Sequence, residues 1–188
     1  MEKTLNSYVF LYKNCIPLDV CSQTVEELKF ADWQQHEFYD SKNDHYAPKS
    51  GNQELEMARK TLSTTKIIMD KIWHGLNDYT KTINFPWFDG WQGYTEVRYN
   101  RYLENRLMAE HCDHIHDIFD GDRKGVPILT VLGLLNNNFT GGDFVMWGDE
   151  VIKLEQGDML IFPSNFLYPH KVLPVTSGER HTFISWVW

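Results

Sequence analysis
Residues 157–188 read GDMLIFPSNFLYPHKVLPVTSGERHTFISWVW. Three strand-like runs stand in this stretch, at 159–162, 170–173 and 181–188. Each is short and rich in aliphatic, aromatic or β-branched residues, with turn chemistry around it: Gln156-Gly157-Asp158, Pro163-Ser164-Asn165 and Ser177-Gly178. The same grammar continues upstream. Runs at 151–154, 143–147, 128–135 and 94–102 are strand-like, and Gly148-Asp149 and Gly141-Gly142 punctuate them. The second half of the chain is therefore expected to be short strands joined by turns.

The first half differs. Residues 8–12, YVFLY, form a β-prone run. Pro17-Leu18-Asp19 opens a helix carrying Val20, Thr24, Val25 and Leu28, with Asp19 as its N-cap. Residues 38–52 are polar, with Gly and Pro, and read as a loop. Leu55, Ala58, Leu62, Ile68, Ile72, Leu76, Tyr79 and Ile83 recur at intervals of three, four or six and predict one long helix, closed at or before Pro86. Met57 and Met69 on it are packing residues. Helices first and short strands afterwards imply an α+β fold: a sandwich or jelly roll with N-terminal helices packed on one outer face. At 188 residues the chain makes one domain, 1–188, in which 1–93 is helical support and lid and 94–188 the core.

Composition narrows the function. Asp plus Glu is 26 against 18 for Lys plus Arg, a formal charge of −8. A duplex-binding surface carries a basic excess, so nucleic acid is a poor partner. The longest apolar run, 126–135, is too short to span a bilayer, and the N-terminus has neither a long apolar region nor a small-residue cleavage site. Cys15, Cys21 and Cys112 make neither an even framework nor a CxxC pair. The expectation is a soluble cytoplasmic protein in a reducing compartment.

Residues 111–117 read HCDHIHD and concentrate metal-binding side chains. On a strand, His111 and Asp113 share one face, Cys112 and His114 the other, and the turn chemistry of 117–122 puts His114 onward at or past the strand end. Zinc bound through Cys112 lacks the usual paired cysteines. A His114-x-His116 site of the cupin kind has Asp120 near its acidic position but Pro127 where a glycine belongs. His111-x-Asp113 with one distant histidine would leave three open positions on an octahedral metal, which suits non-haem Fe(II) and O₂. A polar loop without metal is the fourth reading, in which Cys112 is a small packed residue and His114 and His116 are loop or substrate-side groups.

The far end of the chain bears on the choice. Gly157-Asp158-x-Leu160-x-Phe162-Pro163-Ser164, then His170-x-Val172-x-Pro174-Val175-x-x-Gly178-x-Arg180, then Trp186, resembles the Fe(II)/2-oxoglutarate-dependent dioxygenases, in their prolyl 4-hydroxylase-like branch. Thr130, Leu135-Asn136, Phe139 and Gly141-Gly142 resemble a further segment of that family, and the likeness covers about 94–188. It implies a double-stranded β-helix (jelly roll) with His111, Asp113 and His170 as iron ligands and catalytic centre. It implies Arg180 on the distal carboxylate of 2-oxoglutarate, and Tyr102 lining that pocket, with Tyr99 as the fallback. Thr182 shares a face with Arg180 and could add a hydroxyl; Thr130 is a further candidate. Two positions depart from the family: Leu134 replaces a tyrosine that helps hold the cosubstrate, and Asn105 a common glycine.

The resemblance implies coupling of 2-oxoglutarate decarboxylation, giving succinate and carbon dioxide, to C–H hydroxylation by O₂, with ascorbate as a reductant. Prolyl residues of a peptide or protein are the substrate expected at family level. A free amino acid, a small metabolite or a nucleobase are alternatives, as is a non-catalytic jelly-roll binding module, against which the four intact site residues weigh. Halogenation needs a small residue in place of Asp113. Between the long helix and the first core strand, Trp87, Phe88 or Trp91 would line the entrance and stack on a proline or extended chain, unless they simply pack the helices on the barrel. Residues 117–124 would form the opposite wall.

Overall fold
Alternation along the later strands sorts their side chains into two cores. The computed structural model describes residues 4–40, 45–47, 53–86, 90–91, 93–113 and 127–188. Among them, a short 3-10 turn over Leu5–Tyr8 leads into β1 (Phe10–Tyr12) and α1 (Leu18–Leu28). Then come β2 (Gln34–Gln35), β3 (Phe38–Asp40), β4 (His45–Ala47), β5 (Glu56–Ala58) and α2 (Thr65–Ile83). The second half holds β6 (Arg98–Tyr102), β7 (Met108–His111), β8 (Leu129–Leu134), β9 (Phe139–Gly141) and β10 (Phe144–Met146). It closes with β11 (Glu150–Ile152), β12 (Met159–Pro163), β13 (His170–Val172), β14 (Val175–Gly178) and β15 (Arg180–Val187).

The strands form a seven-stranded sheet in the order β1-β12-β8-β15-β6-β5-β2 and a four-stranded sheet in the order β11-β10-β13-β7, all antiparallel. β14 pairs with β9, and β3 with β4. This is the jelly roll with two helices. On the large sheet, Leu129, Val131, Met159, Ile161, Tyr99, Phe183 and Val187 face outward and form one core with Val20, Cys21 and Leu28 of α1 and Ile68, Ile72, Leu76 and Tyr79 of α2. The intervening Leu132, Leu160, Phe162 and Tyr102 face inward and meet Met108, Phe144, Met146 and Val172 of the small sheet. The period of two thus assigns alternate residues of one strand to helix packing or to the barrel interior.

Several expected elements differ from those observed. The stripe from Leu55 is not one helix. Leu55 is buried in the barrel core, and Met57 lies in β5, opposite Asn100 of β6. α2 begins only at Thr65 and ends where Asn84 takes a left-handed conformation, φ 47°, two residues before Pro86. Pro17 holds the N-cap position of α1 with extended ψ, so Asp19 lies in the first turn and makes no cap bond. There its carboxylate still faces the positive end of the helix dipole. Residues 38–52 contain the β3–β4 hairpin, whose strands are too short for periodicity to reveal. Gly141 and Ser177-Gly178, read as turns, lie within β9 and β14.

Candidate active site
The antiparallel pair β7–β13 sets His111 directly opposite His170, with ring centroids 4.4 Å apart. Asp113 follows two residues past the end of β7. Its Oδ1 lies 3.4 Å from His111 Nε2 and 3.8 Å from His170 Nε2, and the three candidate ligand atoms all fall within 4.8 Å of one another. Each imidazole turns its other nitrogen to a carbonyl: His111 Nδ1 is 2.8 Å from Ala109 O, His170 Nδ1 3.1 Å from Tyr168 O. A carbonyl only accepts, so Nδ1 carries the proton and Nε2 keeps its lone pair for a metal. Phe144 and Phe162 pack on the His170 ring at 5.3 and 5.1 Å, and Phe38 on His111 at 5.3 Å.

Asp113 uses its second oxygen elsewhere. Thr130 Oγ1, from β8 of the opposite sheet, donates to Oδ2 at 2.5 Å and is itself 2.8 Å from Ser164 Oγ. Burial alone would raise the Asp113 pKa. The neighbouring imidazoles of His170 and His111 and the hydrogen bond from the Thr130 hydroxyl outweigh it and hold the carboxyl well below its usual range. Burial pushes His170 down to about 4, helped by His111. Two neutral imidazoles and one carboxylate are a donor set that suits a divalent first-row metal.

Arg180 and Tyr102 oppose each other on β15 and β6, with the guanidinium 4.9 Å above the phenol ring. Arg180 is 1% exposed, and burial depresses its pKa. Its Nη1 has no hydrogen-bond partner among the described residues, and neither does the hydroxyl of the fully buried Thr182 beside it. Gly142, at φ +66°, makes room: a Cβ there would come within 2.9 Å of Arg180 Cδ. Buried, unpaired donors of this kind cost free energy unless a ligand completes them. A dicarboxylate that chelates a metal at one end fits the pair at its other end. Leu134, across from Thr182, contributes only apolar surface at this point.

The structure thus brings His111, Asp113, His170 and Thr130 into one cluster, and Tyr102, Arg180 and Thr182 onto one inner face of the large sheet. Tyr99 lies on the other face, in the helix-side core, 3.2 Å from Thr65 Oγ1. Trp91 also belongs to that core, edge-on to Trp73 at 5.9 Å. His114, His116, Trp87, Phe88 and the wall at 117–124 lie outside the described residues. Sequence reading missed Arg98, Asn100 and His36. Arg98 and Asn100 share the inward face of Tyr102, a placement that the same period of two along β6 announces.

Comparison with known proteins agrees with this geometry. Residues 97–188 match a family model described as the 2OG-Fe(II) oxygenase superfamily. A PKHD-type hydroxylase of Idiomarina loihiensis is 30% identical over 139 residues, covering 72% of this chain and 58% of its own length. The chain spans about half the length of the curated relatives it matches. Among solved structures, a viral collagen prolyl hydroxylase from Paramecium bursaria Chlorella virus-1 superposes with a TM-score of 0.66 over 98% of both chains at 17% identity. A Trichoplax adhaerens prolyl hydroxylase, in complex with a hypoxia inducible factor peptide fragment, gives 0.68 over 98% of this chain and 85% of its own, also at 17% identity. Residues 97–188 thus match the 2OG-Fe(II) oxygenase superfamily, on a fold shared with solved prolyl hydroxylases.

Proposed function
We propose that the protein is an Fe(II)/2-oxoglutarate-dependent hydroxylase acting on prolyl residues of a peptide or protein. The observation that carries this reading is the His111–Asp113–His170 cluster together with the unpaired donors of the buried Arg180 and Thr182 on the inner face of the large sheet. The prolyl substrate is supported by the hydroxylase names of the relatives and by the peptide held by the Trichoplax protein.

In this reading His111, Asp113 and His170 hold iron. Arg180 takes the distal carboxylate of 2-oxoglutarate, Thr182 adds its hydroxyl, and Tyr102 supports the guanidinium from below. Iron and 2-oxoglutarate supply the oxidising chemistry when bound: one oxygen atom of O₂ goes to succinate and the other to the substrate hydroxyl, with release of carbon dioxide. The chain's own residues position and desolvate. Ala109 and Tyr168 carbonyls fix the two imidazoles, Thr130 fixes the carboxylate, and Phe144 and Phe162 keep water from the His170 side.

Residues 1–188 act as one catalytic domain, in which 94–188 carry the chemistry and 1–93 support it. A reducing, cytoplasmic setting is supported by the three free cysteines. No helix among the described residues is long and apolar enough to cross a membrane. The test is succinate formation over a panel of proline-containing peptides, with mass analysis for one added oxygen. Succinate released only in step with hydroxyproline supports the reading. Hydroxylation confined to non-prolyl substrates overturns it.

A further inference from the structure
The barrel interior holds a second buried guanidinium that the proposed function does not use. Arg98 lies on the inward face of β6, opposite Ile184 of β15, and is 7% exposed. Tyr102, the partner of Arg180, lies four positions further along the strand, or about 13 Å at the usual rise. The two arginines therefore stand toward opposite ends of one inner sheet face. Burial lowers the Arg98 pKa to about 10. Arg98 stacks on Trp186, which stands opposite Thr130, the hydrogen-bond partner of Asp113, so this end of the face adjoins the triad.

What holds Arg98 is mostly uncharged. Its Nε donates to Asn100 Oδ1 at 3.1 Å, its Nη1 lies 3.8 Å from the Met57 thioether, and its guanidinium stacks 4.8 Å over the Trp186 ring. Among the described residues no carboxylate comes within ion-pair distance of it. Of the other buried carboxylates, Asp158 pairs with Lys13 at 2.8 Å, Asp113 belongs to the triad, and Glu54 accepts the Ala109 N–H with Oε2 while its Oε1 has no partner among the described residues. Two further donors or acceptors are orphaned in the same region. Trp186 Nε1, on the residue beneath Arg98, has no partner among the described residues. His36 Nδ1 has none either, and His36 packs edge-on to Phe38, which packs on His111. A buried guanidinium without a counter-ion is costly, and with the unmet Trp186 Nε1 and His36 Nδ1 near it, it points to an anionic ligand.

We infer that Arg98, with Trp186 and His36, forms a carboxylate-binding subsite on the substrate side of the triad, so that the substrate carries a carboxylate close to the C–H bond that is oxidised. This rests on the proposed hydroxylase function and narrows its substrate class. A planar guanidinium reads a carboxylate bidentately, and Trp186 keeps the fork flat and oriented. The carboxylate comes either from the α-carboxyl of a terminal residue or free amino acid, or from an acidic side chain next to the target residue.

The experiment measures binding, not turnover. Protein loaded anaerobically with Fe(II) and 2-oxoglutarate is titrated with N-acetyl-proline, N-acetyl-prolinamide, and amidated Glu-Pro-Gly and Gln-Pro-Gly peptides, by calorimetry and by the change in the visible metal-to-ligand band. N-acetyl-alanine and its amide serve as controls without a proline ring. An acid should bind at least tenfold more tightly than its neutral counterpart. Preference within the acetyl pairs assigns the α-carboxyl, and preference within the peptide pair the side chain. Arg98→Met, which keeps the length and apolar contact with Trp186, should erase the preference and leave 2-oxoglutarate affinity unchanged. Equal binding of every acid and amide by the unaltered protein overturns the inference, as does a preference that survives in Arg98→Met. A preference shown equally by N-acetyl-alanine keeps the subsite and removes the prolyl reading.

Discussion
Asp113 divides its oxygens between two partners, and this division is where single residues decide the site. Oδ1 faces the two imidazoles while Oδ2 is tied to Thr130. Thr130 was a candidate for binding the cosubstrate; its observed contact is with the carboxylate ligand instead, and we assign it the task of orienting that ligand. Thr130→Val keeps the shape and removes the hydroxyl. Outer partners of metal ligands are typically worth 10- to 100-fold in metal affinity, so Fe(II) or Mn(II) binding should weaken by about tenfold or more. Thr130→Ser should restore it. Unchanged affinity in the valine variant, measured by titration against a competing chelator, would return the hydroxyl to a packing role.

At the scale of elements, two glycines test how the sheet carries its helices. A Cβ on Gly133 of β8 would overlap the ring of Phe183 on β15, which is fully buried and pinned between strand and helices. Gly133→Ala should therefore cost about 1–3 kcal/mol by overpacking. A Cβ on Gly75 of α2 meets the flexible end of Met159, which can swing aside, and the tip of Ile161 at 3.2 Å, which need give only a few tenths of an ångström; alanine is favoured over glycine in a helix by about 1 kcal/mol. Gly75→Ala should thus be neutral or slightly stabilising by chemical denaturation, and a loss as large as that at Gly133 would show that Met159 is locked. The same elements show what was legible beforehand. Short β-prone runs between turn signals at 128–135 and 181–188 located β8 and β15, and the family resemblance carried by 157–180 pointed to the far end of the site. The stripe beginning at Leu55 misled because Leu55 and Ala58, three apart, satisfy a helical period even though the residues between them pair with β6. His36 gave no signal at all. It reaches the site only through tertiary packing on Phe38, 4.7 Å away, which in turn packs on His111.

Across the whole molecule, the site joins the two sheets. His111 and His170 come from the small sheet, whereas Thr130, Arg180 and Thr182 come from the large one. Without ligands the link between them at the site is the Thr130–Asp113 hydrogen bond and the packing around it, and the price is a buried guanidinium whose Nη1 has no partner among the described residues. A metal with 2-oxoglutarate would bind both sheets at once, so loading should raise the melting temperature. At 100 times its dissociation constant a ligand adds about 2.7 kcal/mol, or about 5–10 °C for a chain of this size. Mn(II), which does not turn over, is the suitable probe. The increments should separate by residue. Arg180→Met should melt at or above the unliganded parent, since it removes a buried charge with no counter-ion, and it should keep the Mn(II) increment while losing most of the 2-oxoglutarate increment. His170→Ala should lose both, because the cosubstrate needs the metal to chelate. A full 2-oxoglutarate increment in Arg180→Met would place the distal carboxylate on another group. An equal increment without any metal would detach cosubstrate binding from the triad altogether.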